Sequence, residues 1–189
     1  MKFIASLVLI LTTSMAFANT EGKSNVSFSM AGLEGGFRWS SADAKNSTSN
    51  KQTLGFQIGG SGVFDIATNF AIKSGLFYTE RAFKNSFGSA TEVTGKITYF
   101  DIPVLLMFKF EDYAGVYLGP ALSFKMSDEI SQDSLQNVKG SVVPFLVGGQ
   151  FKFAPNMGVN IYFESVSGAI ADNLENSRSV GANLLLTFD

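Results

Sequence analysis

Eight segments of this sequence alternate every second residue between apolar and small or polar side chains, and this period most restricts how the chain can fold. In YFDIPVLLMFKF, residues 99–110, one face is wholly apolar: Phe100, Ile102, Val104, Leu106, Phe108 and Phe110. Side chains of a β-strand point alternately to opposite faces, whereas an amphipathic helix repeats every 3.6 residues. The pattern predicts an all-β chain with strands at about 26–39, 52–64, 70–82, 96–110, 114–125, 141–153, 158–166 and 179–188.

The connections between these segments alternate strictly in length. Long polar connections cover 40–51, 83–95, 126–140 and 167–178, and short ones cover 65–69, 111–113 and 154–157. Long loops at one end and tight turns at the other are the plan of a membrane barrel with an even number of strands. We therefore expect an eight-stranded antiparallel up-and-down transmembrane β-barrel, with both chain ends on the short-turn side.

The composition of the second face indicates which face meets lipid. In the last strand, Val180, Leu184 and Leu186 alternate with Ser179, Gly181 and Asn183. Small, mildly polar residues suit the narrow interior of an eight-stranded barrel, so the apolar face is expected to point outward. An exported soluble β-barrel that binds a lipid or other apolar ligand remains the alternative.

Aromatic residues at both ends of the strands support the membrane interpretation, because such rings favour the two membrane interfaces. The short-turn end is expected to carry Phe64, Phe70, Phe108, Phe110, Phe151, Phe153 and Phe188, and the long-loop end Trp39, Tyr78, Phe100 and Phe124.

Local irregularities are expected at two kinds of position. Pro103, Pro120 and Pro144 each lack a backbone donor, so the strand pairing should be disturbed near them. The first strand needs a slip near residues 31–33 to keep its phenylalanines on one face.

The first 18 residues have the features of a secretory signal peptide. Lys2 precedes an apolar run that is too short to span a membrane, and Ala16 and Ala18 form a small-x-small cleavage site. Cleavage is expected before Asn19, which leaves 19–189 as one outer-membrane β-barrel domain. The chain has no cysteine, and its 16 acidic and 14 basic residues give no electrostatic footprint for nucleic acid.

Charged residues within the strands fall on the inner face. Their predicted network is structural and consists of Lys73, Asp101, Lys109, Lys152 and Glu164, while Glu34, Arg38, Arg81 and Lys125 also fall on the inner side. Charges facing lipid would cost roughly 2 to 4 kcal/mol at the midplane. We expect Asp101 and Glu164 to pair with lysines across the interior and to fill it, rather than to line a path for ions or solutes.

Histidine is absent, which removes the most common general base and a frequent zinc ligand. The acidic stretch 127–133 lacks the glycine and spacing of a calcium loop. The sequence therefore predicts no enzyme activity, no metal site and no cofactor.

Two neighbouring strands resemble a known family. Tyr99, Ile102, Pro103, Leu105 and Lys109, followed by Tyr117, Leu118, Gly119 and Pro120, are similar to the paired strand pattern of the PorT-like outer-membrane β-barrel domain. The resemblance implies a small barrel in the outer membrane of a Gram-negative bacterium, with no catalytic residues. Such barrels usually end in an aromatic residue, whereas here Asp189 follows Phe188.

The expected role is structural or surface-interacting. A monomer is expected in outer-membrane lipid, with the long loops available to an extracellular or envelope protein partner. Neither the composition nor the resemblance identifies that partner.

Overall fold

The computed structural model describes residues 27–87, 91–130 and 137–188, and its regular structure is β-strand. The strands are β1 (Ser27–Ala44), β2 (Ser49–Lys51), β3 (Thr53–Asp65), β4 (Phe70–Phe87), β5 (Thr91–Glu111), β6 (Ala114–Ile130), β7 (Ser141–Val142), β8 (Phe145–Ala154), β9 (Met157–Ser165), β10 (Ala169–Ala171) and β11 (Leu174–Thr187). The predicted signal peptide, residues 1–18, lies outside the described residues. In the described part of the chain, no helix has the length and apolarity needed to cross a membrane.

Eight long antiparallel strands close into a ring. The order is β1-β3-β4-β5-β6-β8-β9-β11, and β11 pairs back with β1. Phe37 of β1, for example, lies opposite Phe56 of β3 on one side and Ala182 of β11 on the other. Closure gives both edges a partner, as hydrocarbon requires, and it confirms the predicted eight-stranded up-and-down barrel.

The apolar face of the wall points outward, as expected. Val104 is 48% exposed, whereas the next residue, Leu105, is 2% exposed and lies in the interior. The exposed band extends around the ring through residues such as Ile58, Leu118 and Ile161. Along β5 it runs from Phe110 to Phe100, which agrees with the roughly 9 to 11 tilted residues that cross the hydrocarbon.

Aromatic rings border this band at the end with short turns. Phe108 lies 5.4 Å from Phe70 and 6.0 Å from Phe110 between ring centroids, and Phe151 packs edge-on against Tyr113. Trp39 and Phe124 are exposed at the opposite border. These rings occupy the levels at which membrane proteins place their aromatic girdles.

The expectation of long loops was largely wrong, because most of those residues continue the strands. β4 extends to Phe87 and β5 begins at Thr91, although residues 83–95 were expected to be a loop. Above the outer apolar band the pattern inverts: Ile97 and Val93 point inward, while Glu92 is exposed on the outer side. These continuations of the strands, consisting of the described residues among 40–53, 80–98, 125–142 and 165–179, are called the extension below.

Irregular pairing occurs close to the expected positions. Val104 and Leu105 of β5, next to Pro103, are not paired with β6, although the register is the same on both sides of this gap. Pro144 lies in the break between β7 and β8. In β1 the register against β3 shifts between Ser29 and Gly32, where Met30 adopts a positive φ of 48°. The predicted slip is therefore present, slightly earlier than expected.

Candidate functional site

The barrel interior holds two groups of charged side chains at different heights. In β1, Glu34 and Arg38 are four residues apart and so point to the same side of the strand. Both are fully buried, and each belongs to one of the two groups. The group nearer the extension is called the upper ion cluster, and the other the lower ion cluster.

The upper ion cluster consists of Arg38, Arg81, Asp101 and Glu164. Arg81 donates two hydrogen bonds to Asp101, at 3.0 and 3.3 Å, and two to Glu164, at 2.8 and 2.9 Å. Arg38 donates to the Oε1 atom of Glu164 at 2.6 Å. Two cations and two anions make the cluster electrically neutral, and the paired geometry is the strongest that arginine and carboxylate can form.

Neighbouring polar groups hold the two guanidinium groups in place. Arg38 also donates to the hydroxyl of Ser179 at 2.6 Å, and Arg81 donates to Ser123 at 3.3 Å. The Arg81 guanidinium lies 4.7 Å from the centre of the Tyr99 ring. Such a contact adds cation–π attraction to the ion pairs.

The lower ion cluster is built around Glu34. Its Oε1 atom accepts hydrogen bonds from Lys73 at 2.6 Å and from the hydroxyl of Ser61, and its Oε2 atom accepts one from Asn160 at 2.7 Å. Lys73 also donates to the side-chain carbonyl of Gln150. The buried carboxylate and ammonium therefore have several polar partners, which offset the cost of removing them from water.

Two tyrosine rings fill the space between the clusters. The Tyr117 hydroxyl donates to Asn160 at 2.6 Å, and the Tyr162 hydroxyl donates to Gln57 at 2.5 Å. The Tyr162 ring lies directly over Gly181, where an added Cβ would overlap the ring. Glycine at this position thus makes room for the aromatic side chain across the interior.

Apolar side chains close the interior above the upper ion cluster. This apolar cap contains buried residues from six strands and one loop: Ala42, Phe83, Ile97, Tyr99, Val142, Val166, Ile170, Ala171 and Leu174. A second apolar group, which includes Met30, Val63 and Met107, surrounds the lower ion cluster. The cavity between the two clusters has a volume of only about 20 Å³, which is the space of about one water molecule.

The structure places the five residues of the predicted network at three levels. Asp101 and Glu164 lie in the upper ion cluster, Lys73 lies in the lower one, and Lys109 pairs with Asp65 at 2.7 Å near the short-turn end. Lys152 is half-buried in β8. The five residues therefore do not form one connected cluster.

The expected ion-pair partners were wrong. Asp101 and Glu164 pair with arginines rather than with lysines. The strand phase already placed Arg38 and Arg81 inside, at positions from which both contact Glu164. The flat guanidinium also accepts two carboxylates at once, which an ammonium group does less well.

The charged side chains inside the barrel form ion pairs with one another. Every charged group of the two ion clusters has an opposite charge within 3.0 Å. Among residues 27–87, 91–130 and 137–188, no group of three or more acidic residues is placed to hold a metal ion. The arrangement supports a rigid, filled barrel.

Comparisons with solved structures find chains that are similar to this one. The chain is 18% identical to the Neisserial surface protein A, with a TM-score of 0.51. The match covers 86% of this chain and 99% of that one. It is 15% identical to the attachment invasion locus protein Ail of Yersinia pestis, with a TM-score of 0.45 and coverage of 82% and 96%. No functionally curated protein matches in sequence.

A family model extends over most of the chain. The model described as "Outer membrane protein beta-barrel domain" matches residues 17–177. The narrower PorT-like resemblance remains a prediction within this family. Together with the closed ring and its outward apolar band, the match shows that the chain belongs to the outer membrane β-barrel family and is a small barrel of the Gram-negative outer membrane.

Proposed function

We propose that this protein is a monomeric, non-conducting and non-catalytic barrel that presents a rigid surface outside the cell for interaction with a partner. The observation that carries the proposal is the filled interior. Two ion clusters, two tyrosine rings and the apolar cap occupy successive levels of the lumen, and the cavity between the clusters measures about 20 Å³.

The same observation argues against the alternative of a soluble carrier. A carrier would need an internal cavity large enough for an apolar ligand, on the order of 300 Å³ or more for a drug-sized molecule. Here charged and aromatic side chains occupy that space, and the apolar residues face outward instead. These outward apolar side chains contact the surrounding lipid.

The extension supports the surface role. Long loops of outer-membrane barrels face outside the cell, so the extension and its tips are expected there. Its outer side carries ion pairs such as Lys51 with Glu92, at 2.9 Å, and Lys84 with Glu92, at 2.9 Å. The apolar cap inside and the paired strands around it stabilise the described residues of the extension. A fixed surface loses less conformational entropy on binding than mobile loops do.

Conductance measurements test the filled lumen. The purified protein should produce no stable channels in planar lipid bilayers, under conditions in which a general porin produces them. Stable, reproducible openings of the wild-type protein would contradict a non-conducting barrel.

Shortened extensions test the surface role. Residues 84–94 can be replaced by an Asn-Gly turn, because the flanking residues Phe83 and Gly95 pair with each other and keep their register. The other three hairpins of the extension are shortened in the same way in separate variants, so that each variant serves as a control for the others. We expect each variant to fold in the outer membrane and at least one to reduce attachment of the cells to other cells or surfaces. Unchanged attachment and envelope integrity for all four shortened hairpins would refute the surface role.

A further inference from the structure

The extension contains a concavity at its outer end, with a volume of about 150 Å³. Three parts of the chain line it: the end of β1 with the turn after it, the end of β4 with the start of β5, and the start of β11 with the residue before it. The backbone N–H of Lys45 donates to the carbonyl of Asn173 at 3.0 Å, which joins two of these parts. The concavity is therefore formed by hydrogen-bonded strands and turns.

Asn85 lines this concavity and has a buried acceptor. Its side chain is 1% exposed, and its Oδ1 atom is buried with no hydrogen-bond partner. An unsatisfied buried acceptor costs about 1 to 3 kcal/mol. A group that enters the concavity and donates a hydrogen bond to Asn85 would recover that cost.

The remaining lining defines what kind of group fits. Phe83 and Leu174 form an apolar floor and are nearly completely buried, and Phe87 is partly exposed beside them. Asn46 and Asn173 are exposed at the rim, and Lys45 adds a positive charge. The lining contains no carboxylate, so a cationic ligand gains nothing there.

We propose that this concavity binds one terminal sugar unit of an extracellular glycan, an inference that rests on the surface role proposed above. A sugar hydroxyl is both donor and acceptor, as is each side-chain amide, so hydroxyls match the asparagines around the concavity. The C–H face of a pyranose ring is apolar and packs on aromatic side chains such as Phe87. Lys45 favours a neutral or acidic sugar over an amino sugar with a free ammonium group.

The size of the concavity limits the ligand to a single ring. A closed cavity of about 150 Å³ holds a molecule as small as benzene, and an open concavity of that size accepts part of one pyranose ring. The remaining sugars of a glycan would lie outside. An aromatic side chain of a partner protein has a similar size, but it would leave the amides at the rim with fewer partners.

Ligand titrations of the full-length protein in nanodiscs test this inference. The probes are a panel of neutral and acidic methyl glycosides, with phenol as a ring of similar size, and binding is followed by NMR of the methyl and amide groups around Leu174. Asn85→Leu removes the acceptor at similar volume, and Asn156→Leu makes the same change at an exposed turn of the opposite end.

Binding and stability should change in opposite directions in the Asn85→Leu variant. The loss of one hydrogen bond should weaken binding of a glycoside roughly threefold to tenfold, while removal of an unsatisfied acceptor should leave folding stability unchanged or higher. Asn156→Leu should not affect binding. Ala44→Phe, which places a ring at the edge of the concavity, should abolish binding in a protein that still migrates as a folded barrel.

Three results would overturn the inference: no glycoside binds the wild-type protein, the Asn85→Leu variant binds as well as wild type, or phenol binds while every glycoside fails. These failures are distinct from failure of the proposed surface role. If the shortened hairpins still reduce attachment, the surface role stands without the sugar site. If the wild-type protein conducts, the non-conducting barrel fails regardless of what the concavity binds.

Discussion

Replacing Glu164 by glutamine should destabilise the barrel strongly, although the two side chains have nearly the same shape. Glu164 contacts Arg38 at 2.6 Å and Arg81 at 2.8 Å, and all three side chains are buried. At an effective dielectric constant of about 20, each contact contributes roughly 6 kcal/mol of attraction, opposed by several kcal/mol of desolvation for each ion. Removal of one partner leaves Arg38 without an anion, so we expect a loss of about 3 to 5 kcal/mol in the free energy of unfolding.

Urea unfolding of the protein in detergent micelles, followed by tryptophan fluorescence and heat-modifiable migration, measures this loss. Glu111→Gln is the matched control, because Glu111 is exposed at the short-turn end, and it should change stability by less than about 0.5 kcal/mol. The double variant Glu164→Gln with Arg38→Gln restores neutrality and should recover part of the loss. A Glu164→Gln variant within about 1 kcal/mol of wild type would refute the reasoning, since removing one partner of a buried pair usually costs several times more.

Three further changes test other parts of the structure. Val104→Arg places a charge in the outward apolar band and should cost about 2 to 4 kcal/mol of unfolding free energy in lipid vesicles. Gly181→Ala puts a methyl group into the Tyr162 ring and should cost about 1 to 3 kcal/mol in the same assay. The pKa of Glu92, which lies outside the membrane, is lowered by the hydrogen bond from Lys51 and by that from a second lysine. The stability that this carboxylate contributes is therefore present above its ordinary pKa and is lost as the pH falls through the lowered pKa. The variant Lys51→Met should raise the pKa of Glu92 in an NMR titration.

Each of these changes has an outcome that would contradict its reasoning. Arginine at the Met126 position, near the border of the band, should cost far less than at Val104, so equal costs would mean that the band is not buried in lipid. A fully stable Gly181→Ala barrel would show that the Tyr162 ring moves freely. A Glu92 carboxyl with the same pKa in wild type and in the Lys51→Met variant would show that the ion pair is absent in solution.

The barrel itself could be predicted from the sequence because two simple patterns agree. The period of two fixed the strands, and the outward set that includes Val104 and Leu106 is exposed as expected. The alternation of long and short connections fixed the strand number and the up-and-down order. The first pattern follows from the geometry of a pleated strand and the second from the loop plan of a membrane barrel, and neither needs knowledge of side-chain partners.

The extension could not be recognised in the same way. Above the apolar band, β5 keeps its period of two, but Ile97 now points inward and Lys96 outward. A search for strands with an outward apolar face therefore ends at residue 96 and assigns residues 83–95 to a loop. The partners of Glu164 were missed for a different reason: phase shows that a side chain points inward, but which cation it meets depends on side-chain length and on the strand register.

Because of this inversion, the lower and upper parts of one continuous wall are suited to two different solvents. Lipid determines what faces outward in the lower part, whereas water drives the cap residues, such as Ile97 and Leu174, inward in the upper part. The attraction that water provides weakens on cooling, but the backbone pairing inside hydrocarbon has no competing partners at any temperature. The stability of the outer end should therefore depend more on temperature than that of the membrane-spanning part of the same strands.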